Sequence, residues 1–504
     1  MDARVLDLRS QDVASAMCVR IMSKLMHSTA SRHQDHPRLD FARDLPISIP
    51  GDFTVAIAGD IVITRPISQL KDPRVATAIE PFQRAELALG NLEQTIADRR
   101  NFRGGSYGVP SFQIMADPVV ARDLANVGFS LLARANNRLS DFGAEGNRET
   151  DAHLRAAGIT PVGYGEHLAE ARAPAYVDLP CGRISAISVT SHVNHAIDAV
   201  FGASARIGLS NGRPGANSLR VTRTILLPVD AWTELRNFAM SYDYAFPGAF
   251  AVVPSVMIYE DRFKIGNDWY ARSDTPGYSY EAHPDDVQDV LKSIANAAIY
   301  SNFTVCNMHT HQWSLDPMHP KGGLNGEVAS PPDFLVRLAH DAIDAGADLF
   351  CTTGPFDFRA IEIFKGKPIF YGLGSFVRQA YMEEVLPWES YRPHQFGDAS
   401  HAGVHPHATR TTDAELLFAR APRHPASYFE SATASCIFRD GDLREIVLYP
   451  IDLGIDGPAS DLGTPRRATG ALATRILERI VSNCEPFGTK VSISGGLGHI
   501  VVAH

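Results

Sequence analysis

Short apolar runs that end in polar residues recur along this chain, and they constrain its fold more than any other feature. The first run, FTVAIAGD, begins at Phe53 and ends at Gly59 and Asp60, as is typical of a buried strand whose carboxyl end delivers an acid. Further runs lie at 85–89, 129–133, 184–189, 303–308, 349–352 and 368–371, with helical stretches between several of them. Strands that alternate with helices predict a layered α/β fold.

One intervening stretch has the pattern of an amphipathic helix. Between residues 332 and 345, apolar side chains recur at helical spacing, among them Phe334, Leu335 and Leu338, and the stretch ends at Gly346. Glycine is a common C-terminal cap of helices. The pattern therefore predicts a helix that ends there and leads directly into the next strand.

Composition divides the chain into regions. We expect residues 1–50 to form an N-terminal extension without chemistry, residues 51–455 to form the catalytic domain, and residues 456–504 to form a C-terminal segment with one helix. Within the domain, residues 211–284 are rich in Gly, Pro, Tyr and Asp, which predicts an inserted, lid-like region over the site. A second loop-like stretch, 388–427, contains His394, His401, His405 and His407.

Charge and cysteine usage narrow the partners and the location. The net charge of −10 predicts no broad basic face, so we expect no nucleic-acid partner. The six cysteines form no C-x-x-C pair, which favours reduced thiols in a cytoplasmic protein. The most apolar N-terminal stretch is interrupted by Arg20 and Lys24 and is too short for a membrane span. We expect a cytoplasmic protein that binds no membrane.

Polar residues able to bind metals or transfer protons follow the apolar runs, where open α/β sheets place their ligands. Asp60 ends the first run, although an aspartate there also suits a helix cap. Asn91 and Glu93 follow the second run at alternate positions, so they would share one face of an extended segment. Asn136 and Asn137 follow the third run and either line a site or satisfy turn backbone.

The strongest single signal is the H-x-H pair after FTVCNM, formed by His309 and His311. Residues two apart on a strand project to one side and present two imidazoles together. Such a pair suits a metal or an acid/base pair, and the alternative is two histidines bonded to nearby backbone. Ser191 and His192, after the run ISAISV, either lie at the same rim or are solvated.

From about residue 53 to 455, the order of these segments resembles that of the CapA family, the poly-γ-glutamate capsule synthesis proteins. The segments are TVAIAGD, ALGNLEQTI, ANNRLSDFGAEGNRET, GRPGANSLR, the H-T-H pair and IDAGADLFCTTGPFDFRAIEIFKGKPIFYGLGSF. The resemblance implies a metallophosphatase-like layered β-sandwich flanked by helices. It also implies action in capsule synthesis or on amide-containing and other small metabolites. The positions that it places in the site are Asp60, Glu93, Asn137, His309 and His311.

Several positions depart from the pattern of that family. Arg138 stands where the family usually has a histidine, and Thr353 and Phe356 replace two histidines of a G-H-G-P-H segment. Ser375 replaces an asparagine. We therefore expect either no cofactor or a single divalent metal, Mn or Zn. Arg138 would neutralise a carboxylate of the site or clamp an anionic small-molecule substrate.

These considerations assign roles to the candidate residues. Catalysis is assigned to Asp60, Glu93, His309 and His311, and the same four residues together with Asn137 would be the ligands if a metal is retained. Substrate binding is assigned to Asn136, Asn137, Arg138, Thr353 and Ser375.

Three functions remain open. The first is a CapA-like enzyme that acts on a small carboxylated metabolite by side-chain acid/base catalysis, for example a dehydration, elimination, cyclisation or condensation in natural-product biosynthesis. The second is a metal-dependent hydrolase or amide-bond enzyme of the poly-γ-glutamate synthesis type, which EDTA would inactivate. The third is a non-catalytic binding protein. Likeness of fold does not choose among them.

Overall fold

The computed structural model of the chain describes residues 48–105, 113–193, 202–241, 256–266, 268–312, 330–356, 358–382 and 426–502. Residues 48–504 belong to one compact unit. The histidine-rich stretch 388–427 lies outside the described residues except for its last two positions, and so does the N-terminal extension up to residue 47.

The strands of the described residues are numbered in chain order. They are β1 Asp52–Val62, β2 Leu87–Leu92, β3 Thr95–Ile96, β4 Met115–Ala116, β5 Leu131–Ala133, β6 Thr160–Val162, β7 Tyr164–Gly165, β8 Ala175–Leu179, β9 Gly182–Val193, β10 Gly215–Ala216, β11 Ser218–Leu227, β12 Val256–Ile258, β13 Arg262–Ile265, β14 Asp268–Arg272, β15 Gly277–Ala282, β16 Phe303–His309, β17 Leu349–Thr353, β18 Ile361–Phe364, β19 Lys367–Phe370, β20 Ser375–Arg378, β21 Glu430–Arg439, β22 Asp442–Asp452, β23 Arg466–Arg467, β24 Ser492–Ser494 and β25 Leu497–Val501.

The α-helices of the same residues are α1 Pro73–Arg84, α2 Val119–Val127, α3 Gly143–Ala156, α4 Leu168–Ala171, α5 Val229–Ser241, α6 Pro284–Ile299, α7 Asp333–Asp344 and α8 Gly470–Cys484. None of these described helices combines the length and the apolar character that a bilayer crossing requires.

Two large sheets carry most of the strands. The first has the order β24-β25-β22-β21-β1-β2-β5-β6, with β20 beside β1 and β23 beside β22. The second has the order β12-β13-β14-β11-β9-β16-β17-β19-β18, with β15 beside β11 and β8 beside β9. At the centre of each sheet the strands are parallel: β1, β2, β5, β6 and β20 in the first, and β11, β9, β16, β17 and β19 in the second.

The apolar cores show how the layers are stacked. One core joins the facing sides of the two sheets, with Val55 and Leu89 from the first and Val305 and Leu349 from the second. Another core packs α1 and α2 on the outer face of the first sheet, and a third packs α6 and α7 on the outer face of the second. The predicted layered β-sandwich flanked by helices is therefore confirmed.

Two predicted regions contribute to the sheets and the core where they are described. Residues 211–284, expected to be an inserted, lid-like region, supply β10 to β15 and α5, and β11 pairs in parallel with β9 inside the second sheet. From the segment expected at residues 456–504, β25 pairs with β22 and α8 contributes to the core between the sheets. Local composition does not reveal these contacts, because the partners of these strands are distant in sequence.

Candidate active site

The candidate site lies where the carboxyl ends of the parallel strands meet. Asp60 lies near the end of β1, and Glu93 directly follows β2. In the second sheet, His309 ends β16 and pairs in register with Thr353 at the end of β17. Because parallel strands end at one edge of a sheet, polar residues from distant parts of the chain come together there.

The buried carboxylate of Asp60 links the two sheets. Its Oδ1 accepts a hydrogen bond from Nδ2 of Asn91 at 2.8 Å, and its Oδ2 accepts one from the backbone N–H of Gly354 at 2.9 Å. Burial alone would raise the pKa of Asp60, but the hydrogen bonds from Asn91 and Gly354 oppose burial, and the pKa lies below its ordinary value. Asp60 is thus an ionised acceptor that holds the site together.

A chain of amides fixes the orientation of Asn91. Oδ1 of Asn136 accepts from the backbone N–H of Arg138 at 3.1 Å, and Nδ2 of Asn136 donates to the backbone carbonyl of Leu92 at 2.8 Å. Backbone groups have fixed donor and acceptor roles, so the Asn136 amide can face only one way. Its Nδ2 also donates to Oδ1 of Asn91 at 3.0 Å, which leaves Nδ2 of Asn91 facing Asp60 and His309.

This orientation decides which nitrogen of His309 carries the proton. Nδ1 of His309 lies 3.1 Å from Nδ2 of Asn91, which can only donate, and 3.1 Å from Oγ1 of Thr353. Nδ1 therefore accepts, and the neutral ring carries its proton on Nε2. That nitrogen lies 3.0 Å from Nε2 of His311, so the fully buried His309 donates a hydrogen bond to His311.

His311 is the more open member of the pair, with 30% of its side chain exposed against 1% for His309. Burial holds the pKa of His311 well below its ordinary value. A neutral ring is what the hydrogen bond from His309 requires, because Nε2 of His311 must have a free lone pair.

Glu93 is a buried acid beside this pair. Its Oε1 lies 4.0 Å from Nε2 of His311 and 3.8 Å from Nε of Arg138. Burial first, and the negative charge of Asp60 second, raise the pKa of Glu93 to about 7, against the opposing effect of nearby cations. A carboxyl of this kind can hold or release a proton near neutral pH.

Arg138 lies between two carboxylates. Its Nη1 is 3.7 Å from Oδ2 of the buried Asp141, in addition to its approach to Glu93. Burial raises the pKa of Asp141 to about 6, although Arg138 opposes this shift. Its positive charge therefore lies close to the carboxylates of both Glu93 and Asp141.

Arg378 is a site neighbour that the sequence analysis missed. Its guanidinium carbon lies 3.9 Å from the ring centroid of Phe356, and that ring lies 5.6 Å from the ring of His311. Arg378 ends β20 after the apolar run that contains Phe376 and Val377. The rule that polar residues follow apolar runs would have found it.

The metal-binding atoms that come together among the described residues belong to Glu93, His309 and His311, all within 4.8 Å of one another. In number and type they suit one ion such as Zn or Mn. The hydrogen bonds of His309 do not fit those of a metal ligand. A ligating histidine donates its other ring N–H to an acceptor, whereas Asn91 presents a donor to Nδ1 of His309. Asp60, expected as a ligand, lies outside this cluster.

A cavity of about 110 Å³ opens beside the histidine pair. It is lined by Asn136, Asn137, Thr190, Ser191, Gly202, Ala216, Ser218, His309, His311 and Gln312. Oδ1 of Asn137, one of these lining residues, is buried without a hydrogen-bond partner among the described residues. The expected lid region contributes Ala216 and Ser218 to this wall.

The other predicted substrate residues lie outside this lining. Thr353 contacts His309 at its Nδ1 atom. Ser375 is buried in β20, where its backbone pairs with that of Asp60. The side chain of His192 lies outside the described residues.

A sandwich of two sheets between helices, with polar residues at the strand ends, defines a metallophosphatase-like fold. The sequence model of the family described as bacterial capsule synthesis protein PGA_cap matches residues 54–380. The chain belongs to this family, as its resemblance to CapA proteins predicted.

Relatives agree with this assignment. An uncharacterized protein of Sinorhizobium fredii, y4sH, is 30% identical over 95% of this chain and 100% of its own length. A probable polyglutamine synthesis accessory protein of Mycobacterium tuberculosis is 27% identical over 63% of this chain and 61% of its own. The PGA biosynthesis protein CapA of Bacillus subtilis is 20% identical over 64% of this chain and 63% of its own.

Proposed function

We propose that this chain is an enzyme that acts on a small carboxylated metabolite by side-chain acid/base catalysis. The reaction removes a proton from one atom and returns one to another, as in a dehydration, elimination, cyclisation or condensation. The observation that carries the proposal is the chain of hydrogen bonds from backbone groups through Asn136 and Asn91 to His309 and His311. It holds two imidazoles in one orientation, as proton transfer requires.

In this proposal each residue has a distinct task. His311 lines the cavity and contacts the substrate, while His309 holds it in place through its Nε2–H. Glu93, 4.0 Å from His311, is the acid that gives up or accepts the proton. Asp60 keeps Asn91 in place, so it supports the pair without touching substrate.

A screen of purified protein against small carboxylic acids, followed by NMR with and without EDTA, tests the proposal. We expect turnover that survives EDTA and falls at least a hundredfold in His311→Gln, within the usual range for loss of an acid/base group. Stoichiometric bound metal that is lost in Asp60→Ala, together with loss of turnover in EDTA, would contradict it. Absence of turnover in every arm would favour a binding protein.

A second candidate is a metal-dependent hydrolase or amide-bond enzyme of the poly-γ-glutamate synthesis type. The clustering of Glu93, His309 and His311 within 4.8 Å favours it, and so do the names of the capsule and polyglutamine relatives. If bound, an ion there would polarise the substrate and activate water. This candidate predicts that EDTA abolishes turnover and that manganese or zinc restores it.

A further inference from the structure

The guanidinium of Arg378 is a buried cation at the edge of the site. The residue is 7% exposed and lies over two aromatic rings, 3.9 Å from the centroid of Phe356 and 5.4 Å from that of Tyr428. Cation–π contacts hold a guanidinium in place and leave its in-plane N–H groups free for other partners.

Arg378 differs from two comparably buried arginines of the described residues. Arg134 and Arg466 each have a carboxylate oxygen within 3.3 Å, from Asp151 and Asp72 respectively. Among the described residues, Arg378 forms no ion pair, and its buried Nε has no hydrogen-bond partner. Because removing a cation from water is unfavourable without a partner, this arrangement is suited to an anion from outside the chain.

The position of Arg378 relates that anion to the chemistry. Phe356 contacts both Arg378 and His311, and its ring lies 5.6 Å from the His311 ring. The positive charge of Arg378 also lowers the pKa of Glu93, against the effect of burial. Arg138 is the less suitable anion clamp, because it already faces Glu93 and Asp141.

We propose that Arg378, stacked on Phe356 and Tyr428, binds a carboxylate of the substrate beside the histidine pair and thereby sets specificity for an anionic ligand. The planar guanidinium and the planar carboxylate can form two parallel hydrogen bonds. This inference rests on the function proposed above, because Arg378 would bind the carboxylate that a small carboxylated metabolite carries.

Direct binding separates this inference from the catalytic proposal. Calorimetry with succinate as the probe, and with its neutral diamide and inorganic phosphate for comparison, needs no turnover. We expect wild-type protein to bind succinate, Arg378→Gln to weaken binding at least tenfold, and Arg378→Lys to weaken it about threefold or more, because lysine lacks the planar fork.

Arg467→Gln is the matched control. Arg467 also lies over an aromatic ring, 4.4 Å from the centroid of Tyr449, but it lines a different cavity. Its variant should bind succinate like wild type. If Arg378→Gln does not fold, Arg378→Lys decides: unchanged succinate binding overturns the proposal. No wild-type binding of succinate, equal binding of the diamide, or tighter binding of phosphate also overturns it.

Discussion

Asn91 carries no charge, yet its orientation determines which nitrogen of His309 holds the proton. The amide is oriented by Asn136, which is itself held by the backbone of Leu92 and Arg138. The same residues could have been read as turn-forming asparagines, and Asn136 does cap the short turn that follows. Here the structural role of one amide sets the chemical state of a neighbouring group.

Asn136→Ala should therefore affect both stability and protonation. It removes the donor that orients Asn91 and leaves a buried carbonyl without its partner, so we expect the free energy of unfolding to fall by about 1–3 kcal/mol. Nitrogen NMR of histidine-labelled protein, assigned with His309→Gln, should show Nε2–H in wild type and a mixture of tautomers in the variant.

Asn483→Ala provides the comparison, because Asn483 also donates a hydrogen bond to a backbone carbonyl, that of Phe358 at 2.8 Å, without any contact to the histidine pair in the described residues. It should lose stability and leave the tautomer of His309 unchanged. An Asn136→Ala protein with the wild-type tautomer would contradict this account of the site.

Asp141 should make the protein less stable as pH rises. Its pKa is about 6 when folded and near 3.8 when unfolded, so the folded state binds more protons between these values and stability falls from pH 4 to pH 7. Two pKa units correspond to at most about 3 kcal/mol. The free energy of unfolding of Asp141→Asn, relative to wild type, should therefore increase over this range in urea titrations.

Asp72 should make the protein more stable as pH rises, in contrast to Asp141. Hydrogen bonds from Arg74, with help from Arg466, lower its pKa, so its contribution to stability is present above the unfolded pKa and is lost as pH falls. Asp72→Asn should therefore lose stability relative to wild type as pH rises from 3 to 6. The same slope for both variants would show that the Asp141 effect has another cause.

At the scale of elements, strand ends and helix ends follow the sequence closely. The helix expected over 332–345 is α7, Asp333–Asp344, and Gly346 follows it with a φ of +112°. Apolar spacing and a terminal glycine are local signals, so they predict a helix even when its packing partners are not known. The strand β1 runs two residues past Asp60, because its end is paired with β20, which is remote in sequence.

Gly59 shows what that pairing demands. A Cβ on Gly59 would lie 1.7 Å from the carbonyl oxygen of Gly374, and no rotamer relieves a clash with backbone. Gly59→Ala should therefore separate β1 from β20, lower the free energy of unfolding by more than about 3 kcal/mol and impair catalysis. Gly457→Ala, with its nearest contact at 3.3 Å, should change stability by under about 1 kcal/mol in the same urea titration, and equal losses would contradict the argument.

At the scale of the molecule, the last residues are part of the core and not an appendage. Ile476, Leu477 and Ile480 of α8 and Ile500 of β25 are buried in the core between the sheets. A chain that ends at residue 469 should therefore be insoluble or lack cooperative unfolding in calorimetry, because that core would be open to water. A chain that ends at Val502 should melt like wild type. Cooperative melting of the shorter chain at the wild-type temperature would contradict this expectation.

The sequence by itself determined the layered fold, the family and most of the polar residues at the strand ends, because apolar period, caps and motif order are local properties of the chain. The tertiary structure alone decided that both carboxylate oxygens of Asp60 accept hydrogen bonds and that Arg378 lies beside Phe356. It also decided that Asn91 determines which nitrogen of His309 carries the proton. It also paired β11 with β9 and β25 with β22. Those facts depend on which strands pair, and pairing between distant segments leaves no mark in local composition.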